Sequence, residues 1–170
     1  MKKYIIREAS LYDANSIFEI NKQLILNFCD LKCVDHFLIT DRIRRKNFYV
    51  LEYKNEVVAA ISVDLEDLFE NNNLQFIIDS IAIKKEYHKK GFGTILIDYI
   101  LDNIWDNIVH NEIYIGTFEE YKALNFYIKY GFEIKEIYND LYNDNKRHKV
   151  YLLKMDREKY ESKRNNGKLY

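Results

Sequence analysis

The sequence predicts one α/β domain in which helices and a mixed sheet lie in layers. Three observations predict it. Apolar residues recur at helical spacing in separate segments, runs of β-branched and aromatic residues alternate or become nearly continuous between them, and the segments follow in the order strand, helix, helix, three strands, helix, strand, helix, two strands. With 170 residues the chain is long enough to bury roughly two-thirds of the surface its unfolded form exposes, so its core needs no staple. No internal repeat and no linker divides it.

The elements follow in order. Tyr4 to Arg7 reads as a short strand, and Ser10 caps a helix that starts near Leu11 and carries Ala14, Ile17, Phe18, Leu24, Ile25 and Phe28 on its apolar face. A shorter helix with a basic end is expected around Asp35 to Arg45. From Phe48 the period changes to two, and "FYVLEY", a turn at Lys54 and Asn55, and "EVVAAISVDLE" form a hairpin. The acidic, asparagine-rich stretch at 65 to 73 is expected to be an exposed loop. "LQFIIDSIAI" is the strongest strand, apolar enough to be covered on both faces. Gly91 to about Trp105 is helical by spacing, with Ile95, Leu96, Tyr99, Ile100 and Ile104 on one broad face. "EIYIGT" follows as a strand, and "EEYKALNFYIKYGF" as a helix with Ala123, Phe126, Tyr127 and Tyr130 on one side and Gly131 at its C-cap. "FEIKEIY" and "HKVYLLKM" are two further strands around a polar loop at 139 to 147. Residues 157 to 170 are charged and weakly periodic, a polar tail that is either a frayed helix or disordered, which leaves residues 1 to 156 as the domain.

Composition removes several classes. The 26 basic and 27 acidic side chains leave a net charge of -1, so no global field holds an anionic polymer. A nucleic-acid partner would need a local patch, for which Lys84, Lys85, Lys89 and Lys90 with Arg42, Arg44 and Arg45 are the candidates. Cys29 and Cys33 lie four apart in a region expected to be helical and make neither a complete zinc set nor a disulfide framework, so no metal is implied. "MKKYIIREAS" is no signal peptide, and no apolar run reaches the ~18 to 20 residues that span a bilayer. The expectation is a soluble, cytoplasmic protein without a membrane partner.

The stretch "IIDSIAIKKEYHKKGFGTILIDYI" carries the chemistry. A strand that ends in a glycine turn and feeds a helix gathers unpaired backbone N-H groups at the positive end of a helix dipole, which is an anion site. Gly91 and Gly93 let an anion approach the main chain, and Lys89 and Lys90 add mobile cations. The spacing fits neither a nucleoside-triphosphate loop nor the three-glycine dinucleotide fingerprint, and a bare Gly-x-Gly is also what an ordinary helix start looks like.

The same stretch resembles motif A of the GNAT acetyltransferase superfamily. There, Arg or Gln, two residues, Gly, one residue and then Gly or Ala follow the fourth strand, and here the register reads His88, Lys89, Lys90, Gly91, Phe92, Gly93. Downstream, Ala123, Tyr127, Gly131 and Phe132 resemble motif B. The resemblance extends from about residue 3 to 155 and is most specific over 77 to 132. It implies a mixed, mostly antiparallel sheet of about seven strands with about four helices, its fourth and fifth strands splayed around coenzyme A. It implies that His88, Lys89, Lys90, Gly91, Phe92, Gly93 and Thr94 hold the pyrophosphate, while the main chain of Ile81, Ala82 and Ile83 bonds the pantetheine arm. The function implied is acetyl-CoA-dependent transfer of an acetyl group to a primary amine of a small molecule, polyamine, peptide or protein, by direct attack in a ternary complex. Three departures, His88 for Arg or Gln, Lys89 for a frequent glycine and Glu120 for a frequent asparagine, leave open a non-catalytic coenzyme A-binding sensor.

Such a transfer needs an acid for the departing sulfur and a base for the amine. Tyr127 stands at the position of the family's acid, although a tyrosine between Phe126 and Tyr130 also suits a core. Asp79, among apolar residues and on the same strand face as Ile81 and Ile83, is the candidate base. The alternatives are a carboxylate paired to a nearby cation and a water relay assisted by Glu119 or Glu120. Asp64, Glu66, Asp67 and Glu70 either attract a cationic acceptor or form a solvated loop. Both a monomer and a homodimer fit, because such sheets have open edges.

Overall fold

The computed structural model describes residues 4–29, 34–105 and 109–165. Seven strands form one sheet in the order β1-β2-β3-β4-β5-β7-β6: β1 Tyr4–Glu8, β2 Phe48–Tyr53, β3 Glu56–Glu66, β4 Gln75–Ile83, β5 Glu112–Phe118, β6 Glu133–Leu141 and β7 Arg147–Asp156. The five α-helices are α1 Ala14–Asn21, α2 His36–Arg44, α3 Phe92–Tyr99, α4 Leu124–Tyr130 and α5 Arg157–Asn165. The mixed seven-stranded sheet is the expected fold class. The chain divides into two compact units, Met1–Asp64 with Asp79–Ile108 and Leu65–Ile78 with Val109–Tyr170.

In the first unit, β1 and β2 pair antiparallel from Tyr4↔Tyr53 to Glu8↔Tyr49, and β2 turns into β3 at Lys54 and Asn55. Both turn residues have positive φ, 54° and 62°, the backbone of a two-residue turn whose twist matches its strands. Asp13 closes the entry to the first helix: its carboxylate accepts from the Ser10 amide at 2.7 Å, the Ser10 hydroxyl at 2.8 Å and Arg7 at 2.8 Å. The expected long helix through Phe28 is shorter, since α1 ends at Asn21 and a 3-10 turn follows at Lys22–Leu24. The Gln23 amide donates to the Ile20 carbonyl at 2.8 Å and so takes the acceptor that a continuing helix would use. Cys29 therefore lies past the helix, in a tight turn bridged to Leu26, and Cys33 falls outside the described residues.

Helix α2 begins as expected, with the Asp35 carboxylate accepting from the Leu38 amide at 2.8 Å. Ile17, Ile39, Ile43, Phe48, Val50 and Ala60 form a buried cluster from α1, α2, β2 and β3. Helix α3 was expected to run regularly to Trp105, but Ile100–Ile104 is a π turn. The Asn103 side chain donates to the Tyr99 carbonyl at 3.0 Å, occupying an acceptor of the helical ladder where the turn widens. The buried face is carried by Phe92, Leu96, Ile97, Ile100 and Leu101.

In the second unit, β4 and β5 pair in parallel over three residue pairs, Phe76↔Ile113 to Ile78↔Ile115, whereas β5 pairs β7 along its whole length. The short parallel ladder is consistent with strands that splay. β6 and β7 extend to Leu141 and from Arg147, so the loop expected at 139 to 147 shrinks to a tight turn, with the Tyr142 amide bonded to the Lys146 carbonyl at 3.0 Å. The stretch expected as an exposed loop at 65 to 73 is more ordered: β3 reaches Glu66, and Leu68 and Phe69 pack on Ile77, Tyr114 and Leu152. Residues 157 to 165 form α5, with Tyr160 buried.

Candidate active site

At the C-terminal end of β4 the chain makes one 3-10 turn, Lys85–Tyr87, and enters α3 through Gly91. Lys89 and Gly91 have φ of 58° and 84°. Gly91 is the N-cap, and a Cβ built there meets nothing within 4 Å, so the main chain at the head of α3 faces open space. The N-H groups of the first helical turn have no acceptor inside any α-helix, and here they start from that open cap. Phe92 anchors the turn from the other side. Its ring is buried at 5.5 Å from that of Tyr53 and 6.0 Å from that of Tyr87, so only its main chain can face an anion. Lys89 and Lys90 are exposed, Lys90 with its ammonium 4.7 Å above the Tyr87 ring.

Two residues at the strand end depart from expectation. The Ile83 carbonyl accepts from the Gln23 amide at 2.7 Å and from His88 Nε2 at 2.8 Å. A carbonyl only accepts, so Nε2 of His88 carries the proton, and both lone pairs of the Ile83 oxygen are in use. Of the three residues expected to meet a pantetheine arm, Ile83 thus has its carbonyl already committed, and the His88 ring is tied back to the strand.

Asp79 has a different environment from the apolar one expected. Arg42, at the end of α2, grips its carboxylate in a fork, NH1 on Oδ2 and NH2 on Oδ1 at 3.1 Å. The Ser62 hydroxyl donates to Oδ2 at 3.2 Å and lies 2.7 Å from the Ser80 hydroxyl. Arg42 Nε faces Asp64 at 3.7 Å, and Asn47 donates to Asp64 at 3.4 Å. The pair is largely buried, with side-chain exposures of 8% and 14%. The sequence alternative of a carboxylate paired to a cation is what the structure contains. Arg42, read in the sequence only as part of a basic patch, is the partner of Asp79 that residue-by-residue reasoning missed. The available signal was its helical phase: Arg42 shares a face with Ile39 and Ile43, and a cation on the apolar face of a helix requires a buried partner.

In the second unit, Tyr127 is buried on α4, its ring at 5.2 Å from Phe126 and 6.0 Å from Phe132. Burial alone pushes its hydroxyl far above the ordinary tyrosine value. Gly131 ends the helix with φ of 126°, its amide bonded to the Tyr127 carbonyl at 3.0 Å. Ahead of α4, Glu119 accepts from Tyr151 at 2.9 Å and Lys149 at 3.1 Å, which hold its carboxyl below the ordinary range. Glu120, in place of the frequent asparagine, accepts from His148 Nδ1 at 2.6 Å, while Nε2 donates to Asp144 at 3.0 Å. The Glu120 bond first, and the Asp144 bond after it, raise the His148 pKa. Both residues expected to assist a water relay are therefore engaged by partners on β7.

Three of the seven basic residues named for a nucleic-acid patch are engaged in ion pairs: Arg42 with Asp79, Lys84 with Glu56, and Arg45 with Asp41 at 2.9 Å. The carboxylates around residue 65 are likewise occupied in part. Asp64 faces Arg42, and Asp67 accepts the Asn71 and Asn72 amides at 3.1 and 2.8 Å. Among the described residues no helix is long and apolar enough to cross a membrane, and no cluster of three or more potential ligands is arranged to hold a metal ion.

The fourth strand feeds the glycine turn and the helix carrying Tyr127 is closed by Gly131, in the order that the two sequence motifs predict. Residues 44–134 match the family model of the acetyltransferase (GNAT) domain. An N-alpha-acetyltransferase of Sulfurisphaera tokodaii is 28% identical over 151 residues, covering 84% of this chain and 88% of that protein. Two solved structures share the fold. Naa50 of Arabidopsis thaliana in complex with the bisubstrate analogue CoA-Ac-MVNAL has a TM-score of 0.69 at 20% identity, covering 90% of this chain and 98% of that one. YncA of Salmonella typhimurium with its cofactor acetyl-CoA has a TM-score of 0.73 at 14% identity, covering 91% and 94%. The chain belongs to the GNAT acetyltransferase family and is an N-acetyltransferase of that type.

Proposed function

We propose that the protein transfers the acetyl group of acetyl-CoA to the α-amino group at the N-terminus of a peptide or protein, by direct attack of the amine. The observation that carries the donor half is the turn at Gly91, a left-handed cap with open space over its main chain and two exposed lysines beside it. The acceptor class is supported by the likeness to the N-alpha-acetyltransferase of Sulfurisphaera tokodaii. In this reading the amides of Gly91, Phe92, Gly93 and Thr94 hold the pyrophosphate, assisted by Lys89 and Lys90, while the His88 ring stays on the Ile83 carbonyl. The main chain of Ile81 and Ala82 holds the pantetheine arm.

Acetyl-CoA, when bound, supplies a thioester carbonyl and a sulfur leaving group. Asp79 takes a proton from the acceptor ammonium through Oδ1, the oxygen that accepts from Arg42 alone. Tyr127, kept protonated by burial, gives its proton to the departing sulfur. The amide C-N bond forms as the C-S bond breaks and coenzyme A leaves as the thiol; the proton that the nitrogen sheds on becoming an amide restores the Tyr127 hydroxyl, and the proton held by Asp79 passes to solvent.

The test has two stages. Thermal unfolding is followed with acetyl-CoA, coenzyme A and ATP separately, where a ligand at 100 times its dissociation constant adds ~2.7 kcal/mol. Both coenzyme A species should stabilise the protein and ATP should not; no shift at saturation overturns the donor site. Acetylation is then measured on lysine-free peptides with free N-termini, on the same peptides N-terminally blocked, and on spermidine. Modification of the free peptides alone is expected. Turnover of spermidine with none of the peptides overturns the acceptor class.

A further inference from the structure

We propose that Arg42 is a positioning residue of the transfer reaction, acting through Asp79. The inference rests on Asp79 being the base. A carboxylate has two oxygens with two lone pairs each. On Asp79, Oδ2 accepts from Arg42 NH1 and from the Ser62 hydroxyl, so both of its lone pairs are used. Oδ1 accepts from Arg42 NH2 at 3.1 Å and retains one. The fork therefore chooses which oxygen meets the acceptor and fixes the plane of the carboxylate, which a single-point cation would leave free to turn.

Arg42 can act as a fixed post because its own position is determined from the other side. Nε faces Asp64 at 3.7 Å, and Asn47 donates to Asp64 at 3.4 Å. Its helix is locked by Ile39 and Ile43 in the core on either side. Arg42 is 6% exposed, so it cannot itself be the group that meets an acceptor in solvent. The Ser62–Ser80 hydroxyl pair, 2.7 Å apart on neighbouring strands, fixes the direction from which Oδ2 is approached. The arrangement spends three donors on orientation, two from one guanidinium and one from a hydroxyl, as a proton acceptor must be within hydrogen-bond reach and correctly aimed.

The experiment is a double-mutant cycle on the full chain, with kcat, KM for acetyl-CoA and the thermal midpoint read for each variant. Asp79→Asn is expected to lower kcat about 100-fold or more. Arg42→Lys, which keeps the charge and loses the fork, is expected to lower kcat at least about tenfold with KM for acetyl-CoA unchanged, and to cost less than about twofold in the Asp79→Asn background. Equal loss in both backgrounds, or no loss in either, overturns the positioning role and leaves the Asp79 assignment standing. Full activity of Asp79→Asn overturns that assignment instead, and the role of Arg42 with it. If Arg42→Lys does not fold, Asp64→Asn decides in both backgrounds. It removes the anchor behind Nε, so loss confined to the Asp79 background supports the proposal, and loss in both or neither overturns it.

Discussion

Replacing Gly91 by alanine separates backbone strain from steric fit. The residue sits at φ 84° and ψ -2°, in the left-handed region, where a side chain costs an L-residue roughly 1–2 kcal/mol. The added methyl would touch nothing within 4 Å, so no clash enlarges that figure and no contact offsets it. For a chain of this size about 1–2 kcal/mol lowers the thermal midpoint by about 2–8 °C. Gly116 provides the control. It too has open space for a Cβ, but it lies in β5 opposite Leu152 and has no left-handed φ. Gly116→Ala should therefore be neutral or raise stability by ~0.4–1 kcal/mol through the unfolded chain. Thermal unfolding of both variants without ligand is the assay. A Gly91→Ala protein as stable as the parent would refute the reasoning, because it would mean that the turn does not need its left-handed cap. With acetyl-CoA present, Gly91→Ala should also lose ligand-induced stabilisation, since the methyl stands over the main chain that the proposed phosphate contacts use.

Three other outcomes follow from the same geometry. The Asp13 carboxyl is depressed from 3.8 to about 2, chiefly by Arg7 and then by Ser10, so it adds stability above its unfolded pKa that is lost as pH falls through about 2. Because Arg7 is partly exposed, the gap between the parent and Asp13→Asn should be about 1–2 kcal/mol at neutral pH and close below pH 2 in urea titrations. His148 has the opposite sign: its raised folded pKa gives stability below 6.5 that is lost as pH rises through the folded value, so parent and His148→Gln stabilities should converge on the alkaline side. Tyr127→Phe should lower kcat by about 100-fold or more while the thermal midpoint holds, since the ring packing is unchanged, and a fall in both would assign the tyrosine to the core.

The sheet and the helix starts were legible because local chemistry and global position agree there. Lys54 and Asn55 announce a two-residue turn and adopt its positive φ, and Gly131 closes α4 where the apolar period stops. The glycine turn was legible for the same reason, since Gly91 supplies a conformation that few other residues tolerate. What failed to show was decided by side chains competing for backbone acceptors. Apolar periodicity runs on past Asn21 and Tyr99, but the Gln23 and Asn103 amides take carbonyls that a regular helix would have used. Periodicity is silent on such local competition, so the expected lengths of α1 and α3 are too long and their expected faces hold only in part: Ala14, Ile17, Leu96 and Ile100 are buried, while Ile25 is exposed and Ile95, Tyr99 and Ile104 are half-buried.

The surroundings of Asp79 were illegible for a different reason. Its neighbours in sequence are apolar, but its partners come from α2 and β3, 37 and 17 residues away. Sequence proximity describes the medium around a carboxylate only when the strand is isolated, and in a sheet the next strand and the covering helix supply the polar contacts. A buried carboxylate must find such a partner, and a buried arginine must find the reverse, so the two anomalies, Asp79 in an apolar strand and Arg42 on an apolar helix face, predict each other. Taken singly, each has an ordinary explanation, a loop-end acid or a solvated basic helix end. Taken together they form a pairing constraint between α2 and β4, and that constraint makes the cycle between Arg42→Lys and Asp79→Asn sensitive to positioning beyond what loss of either residue alone would reveal.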